Sequence, residues 1–406
     1  MKKTAMTAAG MLIAISILAG CGGNITEEKD ADGIEVQEKT ETDEVVEDAE
    51  AVTDGIEESV EEAVSEEEIT SEKEIEKAQE EMKQAARELL LEEERQMIDT
   101  DIPLYGGAHI AIVSKSADGE FWGLVKQGME DAVAAVNEMY GFSKEEEITM
   151  YYEGAESELD VETQVNTIDA VISENPDVLC ISAVDMDSCI AQLEMARENG
   201  IPVVAFDSNV SESELITAYR ASDNQEVGKM AAEKLAAALG ETGAVAVFSA
   251  PEMTESGKQR MEGFQKELEN HPGVEIVEII YLDQVEDMKS AMQGAIAEHP
   301  EMKGVFCTNA EVTEIYLTVE ETLEGREILM VGVDATTMQQ DAIHSGRQLG
   351  VISQNPHLMG FETVWTALLA TVQNEEGVEF EKRELLAPAW IDLENIDDPE
   401  YGKYLY

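Results

Sequence analysis

The stretch that decides the fold is Ile201-Pro202-Val203-Val204-Ala205-Phe206-Asp207-Ser208, an apolar run that follows Gly200 and ends in two polar residues. A short apolar run bounded by Gly and Pro is typical of a strand buried on both faces of a sheet. Similar runs predict strands at 109–113, 178–181, 203–206, 244–248, 274–280, 304–307 and 328–333. Amphipathic stretches between them predict helices, for example at 124–139, 161–173 and 226–239.

Strands that alternate with helices predict an α/β fold in which parallel sheets carry helices on both faces. The alternating part of the chain is longer than a single hydrophobic core usually supports, so we expect two Rossmann-like lobes. Ligands of open α/β sheets bind beyond the carboxyl ends of the strands. The candidate binding residues are therefore sought at those ends.

Polar or aromatic side chains follow five of the strands. They are Asp118, Phe121 and Trp122 after the first strand, and Asp207, Ser208, Asn309, Asp334 and Gln354 after later ones. Carboxylates and amides form paired hydrogen bonds with neighbouring hydroxyls, and aromatic faces pack on the apolar face of a sugar ring. The set predicts a neutral polyhydroxylated ligand. Taken singly, Asp207 and Asp334 also fit a role as caps of the helices that follow them, and the aromatic pair fits a place in the core.

The chain from about residue 108 to 393 resembles the periplasmic sugar-binding proteins of bacterial ABC transporters, in the ribose- and galactose-binding branch. The motifs that carry the resemblance are 201–207, Ala221-Ser222-Asp223-Asn224, 257–264 with Arg260, Thr308-Asn309, 331–334 and Gln354. It implies a type I periplasmic binding protein whose lobes close on the ligand by hinge motion. It also implies that Arg260 and Gln284 belong to the ligand site with the strand-end residues.

Three positions depart from the family pattern. Asp118-Gly119-Glu120 precede the aromatic pair where the family commonly has Asn and Pro. Ser208 stands in place of the arginine of ribose binders, which removes a guanidinium fork, and Gln284 stands roughly where they have an aromatic residue. These departures argue against ribose itself and leave an aldohexose, a polyol or another small polar ligand open.

The resemblance further implies three crossings between the lobes, near 221–224, 353–356 and 382–386. The first lobe is then expected at about 107–221 and 355–383. The second lobe is expected at about 222–354 and 384–393. Both lie within a binding domain at 101–406.

The start of the chain has the features of an exported lipoprotein. Lys2 and Lys3 precede a short apolar run at 8–19, and Leu18-Ala19-Gly20-Cys21 resembles a lipobox. We expect a signal peptide at 1–20, a lipid on Cys21 and a position on the extracytoplasmic face of the cell membrane. An ordinary signal peptide with a chance cysteine is the alternative.

Residues 21–100 are interpreted as an acidic tether. The stretch from 25 to 100 contains no aromatic residue and no proline, and residues 25–65 are expected to be disordered because they bury too little apolar surface to offset their ordering entropy. Residues 66–97 have apolar residues at loosely helical spacing. This spacing fits a solvated helix, with a dimerising coiled coil as the alternative.

Composition restricts the function. The net charge of −63 excludes nucleic acid as a partner, because a phosphate backbone demands a basic surface. Cys180, Cys189 and Cys307 are expected to be buried free thiols. No phosphate loop, nucleophile elbow or zinc-protease motif is present, so we expect neither an enzyme nor a cofactor or metal.

The leading function is a monomeric solute receptor that delivers its ligand to an ABC transporter permease. The rival is a sensor of the same fold that presents its ligand to a chemoreceptor or histidine kinase. A sugar-responsive repressor is excluded, because an acidic stretch stands where its basic DNA-binding motif would be. The sequence does not identify the ligand.

Overall fold

The computed structural model describes residues 91–323 and 327–406. The predicted signal peptide, Cys21 and the stretch at 25–65 lie outside these residues. Of the segment at 66–97 only 91–97 is described, and residues 91–95 are helical. Within the described ranges, every helix is too short or too polar to cross a bilayer.

Strands and helices alternate along the described chain. The strands are β1 His109–Ser114, β2 Thr149–Gly154, β3 Val178–Ile181, β4 Val203–Phe206, β5 Ala218–Ser222, β6 Gly243–Ser249, β7 Val274–Tyr281, β8 Met302–Cys307, β9 Leu329–Val333, β10 Gly350–Ser353, β11 Arg383–Leu386 and β12 Ala389–Ile391. The helices are α1 Glu120–Tyr140, α2 Val161–Ser173, α3 Ile190–Glu198, α4 Asn224–Ala238, α5 Glu255–Leu268, α6 Met288–Glu298, α7 Ala310–Glu320, α8 Thr337–His344 and α9 Pro356–Glu376. The α/β class predicted from the sequence is confirmed.

The strands form two six-stranded sheets, one for each lobe. The first sheet has the order β11-β5-β4-β3-β1-β2, and all its pairs are parallel. The second has the order β12-β10-β9-β8-β6-β7, and only the pair of β10 with β12 is antiparallel. The strands β3, β4 and β10 are buried along their whole length, as expected of strands covered on both faces.

The chain crosses between the lobes after β5, after β10 and after β11. The last crossing lies later than predicted. Residues 384–386 were expected in the second lobe, but they pair with β5 in the first sheet, where Leu386 lies opposite Ser222. The crossing follows at Ala387-Pro388, because a proline has no N–H with which to continue a strand ladder.

The binding domain also begins earlier than the predicted residue 101. Ile98 is 5% exposed and belongs to the apolar core of the first lobe together with Val125, Met129 and Phe361. Glu94 is buried as well, and its carboxylate lies 2.9 Å from His357 Nδ1 at the start of α9. The chain is therefore attached to the first lobe from at least residue 94.

Close packing of α4 on α5 fixes the part of the second lobe that faces the first. A Cβ on Gly228 of α4 would lie 1.9 Å from the carbonyl oxygen of Arg260 on α5, and a Cβ on Gly263 would lie 2.1 Å from that of Gln225. Only glycine permits this approach of two helix backbones. It holds Arg260 beside the first crossing.

The three cysteines of the described chain are buried and unpaired, as predicted. Burial raises the pKa of the Cys180 and Cys307 thiols well above the usual value and that of Cys189 to about 12. These thiols therefore remain protonated and act as small apolar side chains.

Candidate functional site

Two buried aspartates stand at matching strand ends of the two lobes. Asp207 directly follows β4 and Asp334 directly follows β9, and each is 3% exposed. Both have a left-handed backbone, with φ of 56° and 76°. Residues other than glycine rarely adopt this conformation, and where they do it marks a position held by its surroundings. Neither side chain caps the helix that follows it, so the capping explanation does not hold for these two residues.

The carboxylate of Asp207 is held by partners within its own lobe. Lys115 Nζ lies 2.7 Å from Asp207 Oδ2, and the Ser182 hydroxyl donates to the same oxygen at 3.0 Å. The side chains of Lys115 and Asp207 are each only 4% exposed. Lys115 directly follows β1 and was not among the predicted residues; its place at a strand end is visible in the sequence, but its pairing with Asp207 is not.

The carboxylate of Asp334 accepts three hydrogen bonds. Gln354 Nε2 and the Tyr406 hydroxyl donate to Oδ1 at 2.6 and 3.1 Å, and the backbone N–H of Ala310, at the start of α7, donates to Oδ2 at 2.9 Å. The structure thus brings Asp334 and Gln354 together, as the sequence predicted. Tyr406 was not predicted, because it lies beyond the region of resemblance.

Arg260 is 3% exposed and joins the first crossing to the end of β8. Its Nε donates to Asn224 Oδ1 at 2.8 Å, and its Nη1 donates to the carbonyl oxygen of Thr308 at 2.7 Å. The guanidinium is therefore fixed in place next to the hinge.

The aromatic pair lies at the start of α1, where it is almost fully buried. Phe121 and Trp122 meet edge to face with ring centroids 5.0 Å apart. Trp122 Nε1 donates to Glu158 Oε1 at 2.7 Å, and the ring of Phe121 lies 6.1 Å from that of Tyr406 in the other lobe. Both residues belong to the apolar core cluster of the first lobe, which is the core position expected from the sequence as their alternative role.

The other predicted residues have different surroundings. Asn309 Oδ1 caps α7 by accepting the N–H of Val312 at 3.1 Å, a role that the sequence left open only for Asp207 and Asp334. Asp118 is exposed. Gln284 is exposed and donates to Glu252 at 2.6 Å. The structure shows neither Asp118 nor Gln284 in contact with the aspartates.

The two lobes touch across the cleft. Three backbone N–H groups donate from one lobe to the other. Met186 donates to the carbonyl oxygen of Met253 at 3.1 Å. Asn209 donates to the carboxylate of Glu255 at 3.0 Å, and Thr337 donates to that of Glu120 at 2.8 Å. Ser256 of α5 accepts from Lys115 Nζ at 3.1 Å and from the Ser208 hydroxyl at 2.8 Å. The structure is therefore a closed form, and Ser208 is a lobe-to-lobe contact in it.

Carboxylates of both lobes approach each other at the rim of the cleft. Burial raises the pKa of Glu311, and the negative charges of Glu158, in the first lobe, and of Glu314 raise it further. Burial also raises the pKa of Glu314. The hydrogen bond from Thr336 lowers this pKa, and the negative charge of Glu120 in the first lobe raises it further. Closing the lobes thus brings like charges together.

Three buried polar atoms at the crossings have no hydrogen-bond partner among the described residues: Ser222 Oγ, Asn224 Nδ2 and Gln354 Oε1. A buried polar atom without a partner costs free energy, and each such atom in a native structure calls for an explanation. Donor and acceptor atoms with unused capacity therefore lie at the base of the cleft.

Two sheets with three crossings and a cleft lined from both sides define a two-lobed binding protein of the type I periplasmic architecture. The profile of the family described as "Periplasmic binding protein domain" matches residues 110–375. The chain belongs to this family, and the resemblance found in the sequence is confirmed.

Similar proteins include the ribose import binding protein RbsB of Escherichia coli, which is 28% identical over 191 residues. The match covers 47% of this chain and 64% of that protein, so the chain spans less than two thirds of that relative. Among solved structures, the chain is similar to a solute-binding protein of an ABC transporter from Agrobacterium vitis, which was solved bound with alpha-D-tagatopyranose. The two are 25% identical with a TM-score of 0.67, and the match covers 74% of this chain and 99% of that one. A second from the same organism, with bound D-fucose, has the same fold at 23% identity, covering 74% of this chain and 100% of that one with a TM-score of 0.66.

Proposed function

We propose that this chain is an extracytoplasmic solute-binding lipoprotein that captures a sugar or a similar polyhydroxylated molecule between its lobes and delivers it to an ABC transporter permease. One observation carries the proposal. Asp207 and Asp334 are buried at matching strand ends of the two lobes, each in a left-handed conformation. Strained, buried carboxylates of this kind are concentrated at ligand sites, and a cleft between lobes is where such a site is expected.

The chemistry of the cleft supports a neutral, hydroxyl-rich ligand. Its two buried cations have partners within the protein: Lys115 pairs with Asp207, and Arg260 donates to backbone and amide oxygens. At the crossings, the buried atoms that have no partner in the described part of the chain are a hydroxyl, an amide N–H₂ and an amide oxygen. Hydroxyl groups, which both donate and accept, satisfy such a set. In this proposal Trp122 supplies an apolar ring for the ligand to pack on.

The relatives support the same class of ligand. The chain is similar to proteins named for the import of ribose and to one solved with a bound hexose. Ribose itself is disfavoured, because Ser208 supplies a lobe contact where ribose binders have an arginine, and Gln284 is exposed. The import relatives favour delivery to a permease over the sensor role.

The first test is a binding screen combined with one substitution. We expect at least one of D-ribose, D-allose, D-galactose, D-tagatose and myo-inositol to raise the melting temperature and to bind by calorimetry. The variant Asp334→Asn should bind that compound at least about tenfold more weakly, because a hydrogen bond to a charged group contributes about 1.5–3 kcal/mol.

The matched control is Asp341→Asn, which changes an exposed aspartate of α8 in the same lobe and should leave affinity unchanged. Equal affinity of Asp334→Asn and the wild type would place the ligand elsewhere. If no compound of the panel binds, the sugar proposal is wrong.

The anchoring part of the proposal has a separate test. Cys21 follows a lipobox-like segment, and we expect the mature chain to begin at this cysteine with a diacylglycerol on its sulfur. Mass spectrometry of the membrane fraction should show this mass. Cys21→Ser should release the protein from the membrane, and an unmodified N-terminus at another residue would contradict the proposal.

A further inference from the structure

A segment that follows β12, residues 392–406, packs on the second lobe and ends in the cleft. We call it the distal segment. It lies outside the region 110–375 that the family profile covers.

The distal segment is tied to the second lobe at several points. The N–H of Tyr406 donates to the carbonyl oxygen of Ala335 at 3.1 Å, and Gln340 Nε2 donates to the backbone oxygen of Tyr406 at 3.0 Å. The hydroxyl of Ser353 donates to the carbonyl oxygen of Tyr404 at 2.5 Å. Ile396 and Leu405 join an apolar cluster with residues of the second lobe. The segment therefore moves with the second lobe.

Tyr406 faces two residues of the candidate ligand site. Its hydroxyl donates to Asp334 Oδ1 at 3.1 Å, and its ring centroid lies 6.1 Å from that of Phe121 in the first lobe, within the range of favourable aromatic pairs. The side chain is 7% exposed. Because Asp334 also accepts from Gln354 and Ala310, little of its capacity of about four hydrogen bonds remains.

We infer that Tyr406 is a specificity-determining residue of the ligand cleft, and this inference rests on the proposed function. Its hydroxyl uses an acceptor position of Asp334 that a ligand hydroxyl would otherwise fill, so the cleft selects ligands with fewer hydroxyls at that end. Its ring closes against Phe121 when the lobes meet, so it also stabilises the closed form.

The selection is tested with pairs of sugars that differ by one hydroxyl, namely D-galactose with D-fucose and D-ribose with 2-deoxy-D-ribose. Tyr406→Phe keeps the ring and frees the acceptor on Asp334. In at least one pair, the affinity of the hydroxylated sugar relative to its deoxy partner should rise about tenfold or more over the wild-type ratio. The role in specificity is wrong if, in every pair of sugars that binds, the ratio of the two affinities in Tyr406→Phe stays within twofold of the wild-type ratio.

The closing contact is tested without any ligand, by hydrogen exchange of the full chain. The N–H groups of Met186, Asn209 and Thr337 donate across the cleft and so report closure. In Tyr406→Ala these amides should exchange about threefold to tenfold faster than in the wild type, as expected from the loss of one aromatic pair. Tyr406→Phe should exchange at the wild-type rate.

The control is Glu400→Ala, because Glu400 belongs to the same segment but its side chain is exposed. It should exchange like the wild type. Unchanged exchange in Tyr406→Ala overturns the role in closure. If none of the sugars binds to the wild type or to either variant, the proposed function and the role in specificity both fail, while the exchange rates still decide whether Tyr406 holds the lobes together.

Discussion

Replacing Asp207 with alanine is expected to lower the free energy of unfolding by about 3–5 kcal/mol, because it leaves the ammonium of Lys115 buried without its counter-ion. The two side chains are each 4% exposed and lie 2.7 Å apart. After the substitution, Lys115 keeps the Ser256 hydroxyl, at 3.1 Å, and the ring of Trp122, whose centroid lies 5.9 Å from Nζ, but neither of these is a counter-ion. Urea unfolding at pH 7 measures the loss.

Part of the alanine effect comes from the backbone. Asp207 has a φ of 56°, which aspartate and asparagine tolerate better than alanine does. Asp207→Asn keeps this tolerance and leaves an oxygen for the Ser182 hydroxyl, so it isolates the loss of charge. The double variant Lys115→Met with Asp207→Asn removes both charges. It should recover most of the free energy of unfolding that Asp207→Asn loses, because removing one partner of a buried ion pair costs more than replacing both partners with neutral side chains.

An exposed ion pair of the same lobe is the control. Lys126 and Glu130 are 3.8 Å apart with side chains 48% and 56% exposed, and Glu130→Ala should cost less than about 1 kcal/mol. If the double substitution costs as much as the sum of the single ones, Lys115 and Asp207 are not coupled and the expected mechanism is wrong. Affinity measurements on Asp207 variants are meaningful only after this loss of stability is known.

Much of the fold was predictable because its central strands are short apolar runs. The edge strand β2 was missed, since residues such as Tyr151 and Tyr152 are only partly buried and the strand lacks a clear apolar pattern. The stretch 384–393 was assigned to the second lobe as a whole, although Pro388 within it marks the break between β11 and β12. A proline inside a strand pattern is itself the signal of such a break.

The site was predictable only in part. Asp207, Asp334 and Gln354 were found because a polar residue directly after a buried strand is a local feature. The partner of Asp207 was not found, because Lys115 follows β1, which is separated from β4 by β3 in the sheet, and contacts of this kind depend on sheet order. No local pattern brings Tyr406 to Asp334. That contact depends on how residues 392–406 pack on the second lobe.

A second large effect is expected at Glu362, a buried residue of α9 in the first lobe. Its burial, with Glu384 adding to the effect and Arg220 opposing it, raises the pKa of this carboxyl from 4.5 to about 7. Its Oε2 has no hydrogen-bond partner within the described part of the chain. The folded protein therefore binds a proton at Glu362 that the unfolded chain releases at a lower pH.

The sign of the effect on stability follows from this difference. Below pH 4.5 Glu362 is protonated in both states and the neutral carboxyl is tolerated in the core. Between pH 4.5 and about 7 the unfolded chain loses its proton first, so the free energy of unfolding falls as the pH rises. Above pH 7 the loss is complete, and at about 1.4 kcal/mol for each pH unit between the two pKa values it amounts to about 3–4 kcal/mol.

Glu362→Gln should therefore be more stable than the wild type by about 3–4 kcal/mol at pH 8.5 and nearly equal to it at pH 4.5, because glutamine resembles the protonated carboxyl at every pH. Urea unfolding of both proteins across this range measures the difference, and effects of the many other carboxylates cancel in it. Glu198→Gln, at an exposed position of α3, should differ from the wild type by less than about 0.5 kcal/mol throughout. A difference between Glu362→Gln and the wild type that does not change with pH would show that the carboxyl has the same pKa in the folded and unfolded states, and the expected effect of burial would then be wrong.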